Sequence, residues 1–153
     1  MKLGNTALKQ GKLDEAEGHF SRIVEIYRRV YGEKHYLYGI ATSNLAAVYS
    51  ERKDYLRAER MFRQAIALYT EVQGPEHLNT GIARIKLGRT LLRQGRFAEA
   101  TQESLAGYEI LSKQSVPGVS WLKNARKDLA AAYDSLKQPD KAARFRDTTS
   151  GGQ

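Results

Sequence analysis

Two histidines, His35 and His77, are the first side chains in this sequence that could do chemistry. They lie 42 residues apart, and each follows a glycine by three positions. Histidine is a common metal ligand and general base. A shared metal ion would need both rings within roughly 2 Å of it, whereas equivalent residues on neighbouring packed helices lie about 10 Å apart. We therefore interpret each histidine as a loop residue that caps the next helix.

A second candidate for chemistry is a stretch of positive charge. From Gly81 to Ala98 the chain carries five basic residues and no acidic one. On a helix, Lys86, Arg89 and Arg93 would share one face, because positions three, four and seven apart lie above one another. Such a face suits the carboxylates of an acidic peptide, with which lysine and arginine form charge-assisted hydrogen bonds. A basic face that is only solvated is the alternative interpretation.

The carboxylates show no catalytic arrangement. They occur where helices are expected to begin, at Asp14, Glu15, Glu99 and Asp140, and negative charge there offsets the helix dipole. No Ser/His/Asp arrangement can be read from the order and spacing of the residues. We expect no enzymatic activity, no metal site and no cofactor.

Composition limits the classes of partner. The 153 residues include no cysteine and carry a formal net charge of +8, which excludes disulfides and predicts acidic partners. No apolar stretch is long enough to cross a membrane, and we expect a cytoplasmic protein.

We favour a protein partner over nucleic acid, because most tyrosines occupy expected core positions and do not offer surfaces for base stacking. Self-association through Tyr27, Tyr31, Tyr36 and Tyr38 is a further alternative.

These residues are organised by a repeat of 42 positions. One column holds Ala41, Ala83 and Ala125, and another holds Leu45, Leu87 and Leu129. A fixed period of this size predicts a solenoid of stacked helix pairs. We expect an all-α fold of about four pairs, the first truncated at Met1 because the chain is the C-terminal part of a longer array. The predicted repeats are 1–35, 36–77, 78–119 and 120–147, in a single domain 1–147 followed by a disordered tail 148–153.

Each predicted pair has a short turn between its two helices. The expected turns are Gln10–Lys12, Arg52–Asp54, Gln94–Arg96 and Lys137–Gln138. Gly11 and Gly95 suit the left-handed position that ends a helix.

The repeats resemble tetratricopeptide repeats. Leu87-Gly88, Gly95, Phe97 and Ala100 match the family pattern in the third unit, and the departures include Ser104, Lys53 and Lys137. The longer unit, with Gly-x-x-His in the loop at Gly32 and Gly74, is similar to kinesin light chain repeats. The run from Val119 to Arg146 resembles the end of bacterial proteins in which a eukaryote-like serine/threonine kinase domain precedes such repeats, although this chain has no kinase motif.

The resemblance implies a right-handed superhelix that binds a peptide or protein in a concave groove lined by the first helix of each pair. It also implies that the array recruits partners for a kinase. Some family members clamp a peptide's C-terminal carboxylate, and Asn5, Asn44 and Lys86 match three of those places, whereas Met1 and Ile82 stand where basic residues would be expected. The predicted peptide-binding residues are Asn5, Asn44, Lys86, Arg89, Arg93, Asn124 and Lys127.

Overall fold

The computed structural model describes residues 2–116 and 118–146, with side chains from Lys9 onward. The described residues form α-helices and no strand, which confirms the predicted all-α fold. The helices are α1 (Lys2–Tyr31), α2 (Tyr36–Glu51), α3 (Tyr55–Val72), α4 (Leu78–Arg93), α5 (Phe97–Ser112), α6 (Val119–Ser135) and α7 (Pro139–Arg146). None of them is both long enough and apolar enough to cross a membrane.

The chain divides into two compact units, Met1–Gln73 and Gly74–Gln153. In the first unit, α1 packs against α2 and α2 against α3. In the second, α5 packs against both α4 and α6, α6 packs against α7, and α4 also contacts α6. The single-domain and repeat boundaries stay predictions, and the predicted disordered tail lies outside the described residues.

The predicted turn at Gln10–Lys12 is wrong, because α1 is one unbroken helix of 30 residues. Gly11 lies inside it, and a Cβ added there would meet no atom within 4 Å. The space around Gly11 therefore permits a continuous helix at this position. Continuing through one glycine costs about 1 kcal/mol relative to alanine. Asp14 and Glu15 are therefore inside a helix instead of at its start, and Asp14 pairs with Arg52 of α2. Among the described residues, α1 precedes the helix pairs α2–α3, α4–α5 and α6–α7 of the all-α array.

The other three turns lie where they were predicted. Each holds one residue with a left-handed backbone: Lys53 at φ 66°, Gly95 at φ 74° and Lys137 at φ 58°. Glycine adopts this conformation without strain, whereas a residue with a Cβ does not. The two lysines therefore carry strain that Gly95 does not.

Both loop histidines cap the next helix, as predicted. The backbone N–H of Leu37 donates to His35 Nδ1 at 3.1 Å, and that of Asn79 donates to His77 Nδ1 at 3.1 Å. Among the acidic residues, Glu99 and Asp140 lie in the first turns of α5 and α7, also as predicted.

Small residues bring α4 and α5 together in the second unit. A Cβ on Gly107 would lie 2.6 Å from the carbonyl oxygen of Gly81 and 2.7 Å from Ile85 Cγ1. Gly88 meets the buried Ser104 in the same way, which explains why serine replaces the usual phenylalanine at that position. The two helices therefore approach to backbone contact, and this rigid pair presents the basic residues of α4 to α6.

Candidate binding face

The basic residues of α4 meet α6 along one face of the second unit. We call this surface the α4–α6 face and define it by Lys86, Arg89 and Arg93 of α4 and Trp121, Asn124, Lys127 and Asp128 of α6. Its first contact joins Lys86 to Trp121, with the ammonium nitrogen 5.2 Å from the centre of the ring. A cation over an indole face is held by the negative charge of the π system. Lys86 is thereby held in place while it remains half-buried.

The second contact is an ion pair between Arg89 and Asp128. Arg89 donates from Nε to Oδ2 at 3.0 Å and from Nη2 to Oδ1 at 3.3 Å. This two-point geometry fixes the plane of the guanidinium as well as its position. Asp128 is buried, whereas the Arg89 side chain keeps 32% of its surface exposed. Arg89 can therefore still present an edge to solvent or to a ligand.

Positive charge converges on the Asp128 carboxylate. Burial raises the pKa of Asp128 above its ordinary value, and the Arg89 hydrogen bonds oppose that rise. The charges of Arg89, Arg93 and Lys127 also act to lower this pKa. Three cations are thus close enough to influence one buried carboxylate, which leaves an excess of positive charge on the face.

Lys86 is also changed by its surroundings. Burial lowers the pKa of its ammonium group, since desolvation disfavours the charged form. A carboxylate that arrived next to Lys86 would favour the charged form and offset that effect. This lysine is therefore better suited to an acidic ligand than a fully hydrated lysine would be.

Some of the basic residues in the run from Gly81 to Ala98 pair with carboxylates within the unit. Arg84 Nη1 lies 2.9 Å from Glu103 Oε2 on α5, and Arg96 Nη2 lies 2.6 Å from Glu99 Oε2. Arg89 likewise pairs with Asp128 of α6. The positive surface predicted from the sequence is therefore smaller than the count of charges indicates.

The remaining predicted residues differ in how the structure places them. Asn124 is half-buried on α6, and Lys127 and Arg93 are exposed. Asn44 is half-buried on α2 of the first unit. Asn5 belongs to α1, and its side chain lies outside the described residues. The roles of Asn5 and Asn44 in binding stay predictions.

Sequence reasoning missed Trp121 as part of the face and missed Asp128 as the partner of Arg89. Nothing in the sequence showed which cation Asp128 would pair with across 39 positions. Trp121 is the only tryptophan in the chain, and it lies half-buried seven positions, or two helical turns, before Asp128. Trp121 and Asp128 therefore share one face of α6, as Lys86 and Arg89 share one face of α4. These spacings could have indicated that the two faces meet.

Comparison with known proteins identifies the repeats. Residues 1–71 and 40–113 match the family model described as tetratricopeptide repeat. A "Clustered mitochondria protein homolog" from Debaryomyces hansenii is 30% identical over 94 residues, which is 61% of this chain. The chain spans 7% of the length of that relative.

Solved structures agree on the fold. BtubC (BKLC) from P. vanneervenii superposes with a TM-score of 0.79 at 17% identity, covering 94% of this chain and 60% of that one. A putative kinesin light chain from Podosopora anserina with nearly identical TPR-like repeats gives a TM-score of 0.77 at 19% identity, covering 96% of this chain and 70% of that one. The predicted likeness to kinesin light chain repeats is confirmed at the level of the fold.

Proposed function

Because this chain belongs to the tetratricopeptide repeat family, we propose that it is a protein-interaction module whose second unit binds an acidic segment of a partner on the α4–α6 face. Tetratricopeptide repeats are in general protein-interaction modules. The observation that carries the acidic preference is that the α4–α6 face holds four cationic side chains, Lys86, Arg89, Arg93 and Lys127, and one buried carboxylate, Asp128, which is paired with Arg89. Such an excess of positive charge favours a negatively charged segment.

Each residue of the face has a distinct role in this proposal. Lys86 contributes a partly desolvated ammonium held over Trp121, and Lys127 contributes an exposed one. Arg89, fixed by Asp128, offers its solvent edge to a ligand carboxylate. Asn124 is positioned on the same helix to hydrogen-bond a peptide backbone, since its amide both donates and accepts.

The proposed role is non-catalytic. Both loop histidines have a structural task at helix starts, which occupies the Nδ1 atom of each ring. Among the described residues, no group of three or more His, Asp or Glu side chains is placed to hold a metal ion. We propose neither a metal nor a cofactor.

A wider role rests on resemblance alone. The run from Val119 to Arg146 supports the proposal that the module recruits partners for a larger signalling kinase in the cytoplasm. The binding experiment below does not depend on that context.

Binding of labelled peptides tests the proposed face. The probes are a glutamate-rich peptide and its glutamine counterpart of equal length, compared by fluorescence anisotropy. The double variant Lys86→Gln, Lys127→Gln should weaken binding of the glutamate peptide about tenfold, because each such charge contributes about 0.5–1 kcal/mol. It keeps the Arg89–Asp128 pair, which a charge reversal at Arg89 would break.

The matched control is the double variant Lys113→Gln, Arg144→Gln, which removes two exposed charges of the second unit away from the face. It should bind like the wild type. Equal losses in both double variants would mean nonspecific attraction to net charge and would overturn the proposal. Preference for an oligonucleotide over the glutamate peptide would move the function to phosphate binding. A concentration-dependent dimer that binds neither probe would indicate a self-associating scaffold.

A further inference from the structure

The first unit contains a cavity that the proposed function does not use. It measures about 350 Å³ and is lined by residues of α2 and α3 together with Glu33 of the preceding loop. Tyr38, Gly39 and Thr42 contribute from α2, and Gln64, Ala65 and Leu68 contribute from α3. This volume is at the lower end of the range for small-ligand pockets and is large enough for a single long side chain.

One wall of the cavity holds an unsatisfied polar group. Thr42 exposes 6% of its surface, and its Oγ1 has no hydrogen-bond partner among the described residues. A buried hydroxyl without a partner costs about 1–3 kcal/mol. Threonine in a helix has two accessible χ1 rotamers, so the hydroxyl can turn to meet a polar group that enters the cavity. This hydroxyl is therefore a hydrogen-bonding group that none of the described residues uses.

The equivalent position of the second unit shows what the cavity lacks. Arg84 stands 42 positions after Thr42, and its guanidinium reaches Glu103 of α5 at 2.9 Å. Gly107 stands 42 positions after Ala65 and allows α4 and α5 to touch. The second unit thus spans this gap between paired helices with its own arginine, whereas the first unit has a short threonine there.

The chemistry of the lining matches the side chain that is missing. Glu33 supplies a carboxylate, and Gln64 supplies an amide oxygen as an acceptor. Tyr38 adds an aromatic side chain, a type that attracts guanidinium groups, and Ala65 and Leu68 add apolar surface that suits an aliphatic stem. Arg28 approaches Glu33 only to 3.9 Å, while it holds Glu25 at 2.9 Å. Glu33 therefore retains capacity to pair with a second cation.

From these observations we infer that the cavity of the first unit binds an arginine side chain donated by a partner protein. The guanidinium pairs with Glu33 and hydrogen-bonds Gln64 and Thr42, and its stem lies along Leu68. This inference concerns a different unit, a different pair of helices and the opposite ligand charge from the proposed function, and the two can fail separately.

Methyl NMR of the full chain tests the inference directly. The probe is Nα-acetyl-arginine amide, and the comparison compound is Nα-acetyl-citrulline amide, which has the same shape without the charge. The arginine probe should shift the methyl signals of Thr42, Ala65 and Leu68. Titration of the same signals should give the citrulline compound an affinity at least about tenfold lower, because a hydrogen bond to a charged group contributes about 1.5–3 kcal/mol. Equal shifts with both compounds, or shifts confined to the second unit, would overturn it.

Three variants complete the test. Glu33→Gln should reduce the affinity for the arginine probe about tenfold, whereas Glu109→Gln, an exposed carboxylate of the second unit, should leave it unchanged. The double variant Thr42→Arg, Met61→Glu rebuilds the Arg84–Glu103 pair at the equivalent positions and should abolish binding by filling the cavity. Undiminished binding in Glu33→Gln would show that the site does not depend on this carboxylate and would reject the inference.

Discussion

Arg89 and Asp128 join α4 to α6 through two hydrogen bonds, at 3.0 and 3.3 Å. Asp128 is buried, whereas Arg89 is half-exposed and keeps contact with solvent. Removal of the arginine would leave a buried carboxylate unpaired, which is far more costly than loss of an exposed pair. The pair therefore stabilises the second unit whether or not a ligand is bound.

Replacing Asp128 by asparagine should change how stability depends on pH. Because burial raises the pKa of Asp128 above 3.8, the folded chain holds this proton more tightly than the unfolded chain. The resulting stabilisation is fully present below pH 3.8 and is lost as the pH rises through the higher folded pKa. The free energy of unfolding of the wild type minus that of Asp128→Asn should fall as the pH rises above 3.8. Urea denaturation followed by circular dichroism measures both free energies of unfolding. A difference between wild type and variant that rises with pH would contradict the prediction.

Gly107→Ala should destabilise the chain by about 1–3 kcal/mol, because the new methyl group would overpack the contact with the Gly81 carbonyl oxygen and Ile85. The matched change Gly18→Ala adds the same methyl group to α1, where no atom lies within 4 Å. It should stabilise by about 0.5–1 kcal/mol through helix propensity alone. Chemical denaturation of both variants separates sterics from propensity. Stabilisation by both would mean that α4 and α5 are not in close contact.

Lys53→Gly should raise the free energy of unfolding by roughly 0.5–1 kcal/mol. The left-handed backbone costs a non-glycine residue about 1–2 kcal/mol, and the greater freedom of glycine in the unfolded chain cancels part of the gain. Lys137→Gly should behave alike, since Lys137 has φ 58°. Lys113 ends α5 at φ −87°, so Lys113→Gly should lower stability instead. Thermal unfolding of the three variants tests this prediction. Equal losses of stability in all three would show that the backbone of the two turns is not strained.

His77→Ala should lower stability by about 1 kcal/mol through loss of the cap on the Asn79 N–H. His77→Asn should restore most of it, because asparagine is among the best capping residues. Hydrogen exchange at the Asn79 amide gives a local readout, with faster exchange in the alanine variant alone. His19→Ala, at an exposed position of α1, is the control: it should leave exchange at the Asn79 amide unchanged and should not lower stability, because alanine favours a helix. An alanine variant with unchanged amide protection would remove the capping role.

Local signals made most of the fold predictable. A turn needs only a few residues, and Gly95 and the two loop histidines specify theirs through backbone conformation and side-chain hydrogen bonds. Gly11 carried the same local signal, yet α1 continues through it. The difference lies in the backbone: Gly95 has a φ of 74° and the Arg96 N–H donates to the Leu91 carbonyl oxygen at 3.0 Å, whereas Gly11 stays inside α1. A glycine at a turn position therefore permits a helix to end without requiring it to end.

The candidate site was predictable in outline and not in detail. Helical spacing placed Lys86, Arg89 and Arg93 on one face of α4, and their contacts with α6 agree with that. The pairing of Arg89 with Asp128 and of Arg84 with Glu103 depends on distances between helices, which no local pattern encodes. Charges that look free in a sequence can thus be neutralised by partners many residues away.

The different residues at positions 42 and 84 bear on how such chains change over generations. Copies of one ancestral unit share the same topology, so selection can preserve the interior of one copy while substitutions accumulate in its sister. In one copy Arg84 pairs with Glu103 and Gly107 lies against the backbone of Gly81, whereas in the other Thr42 and Ala65 line a cavity. Divergence between duplicated segments can therefore create a recess for a new partner without any new structural element.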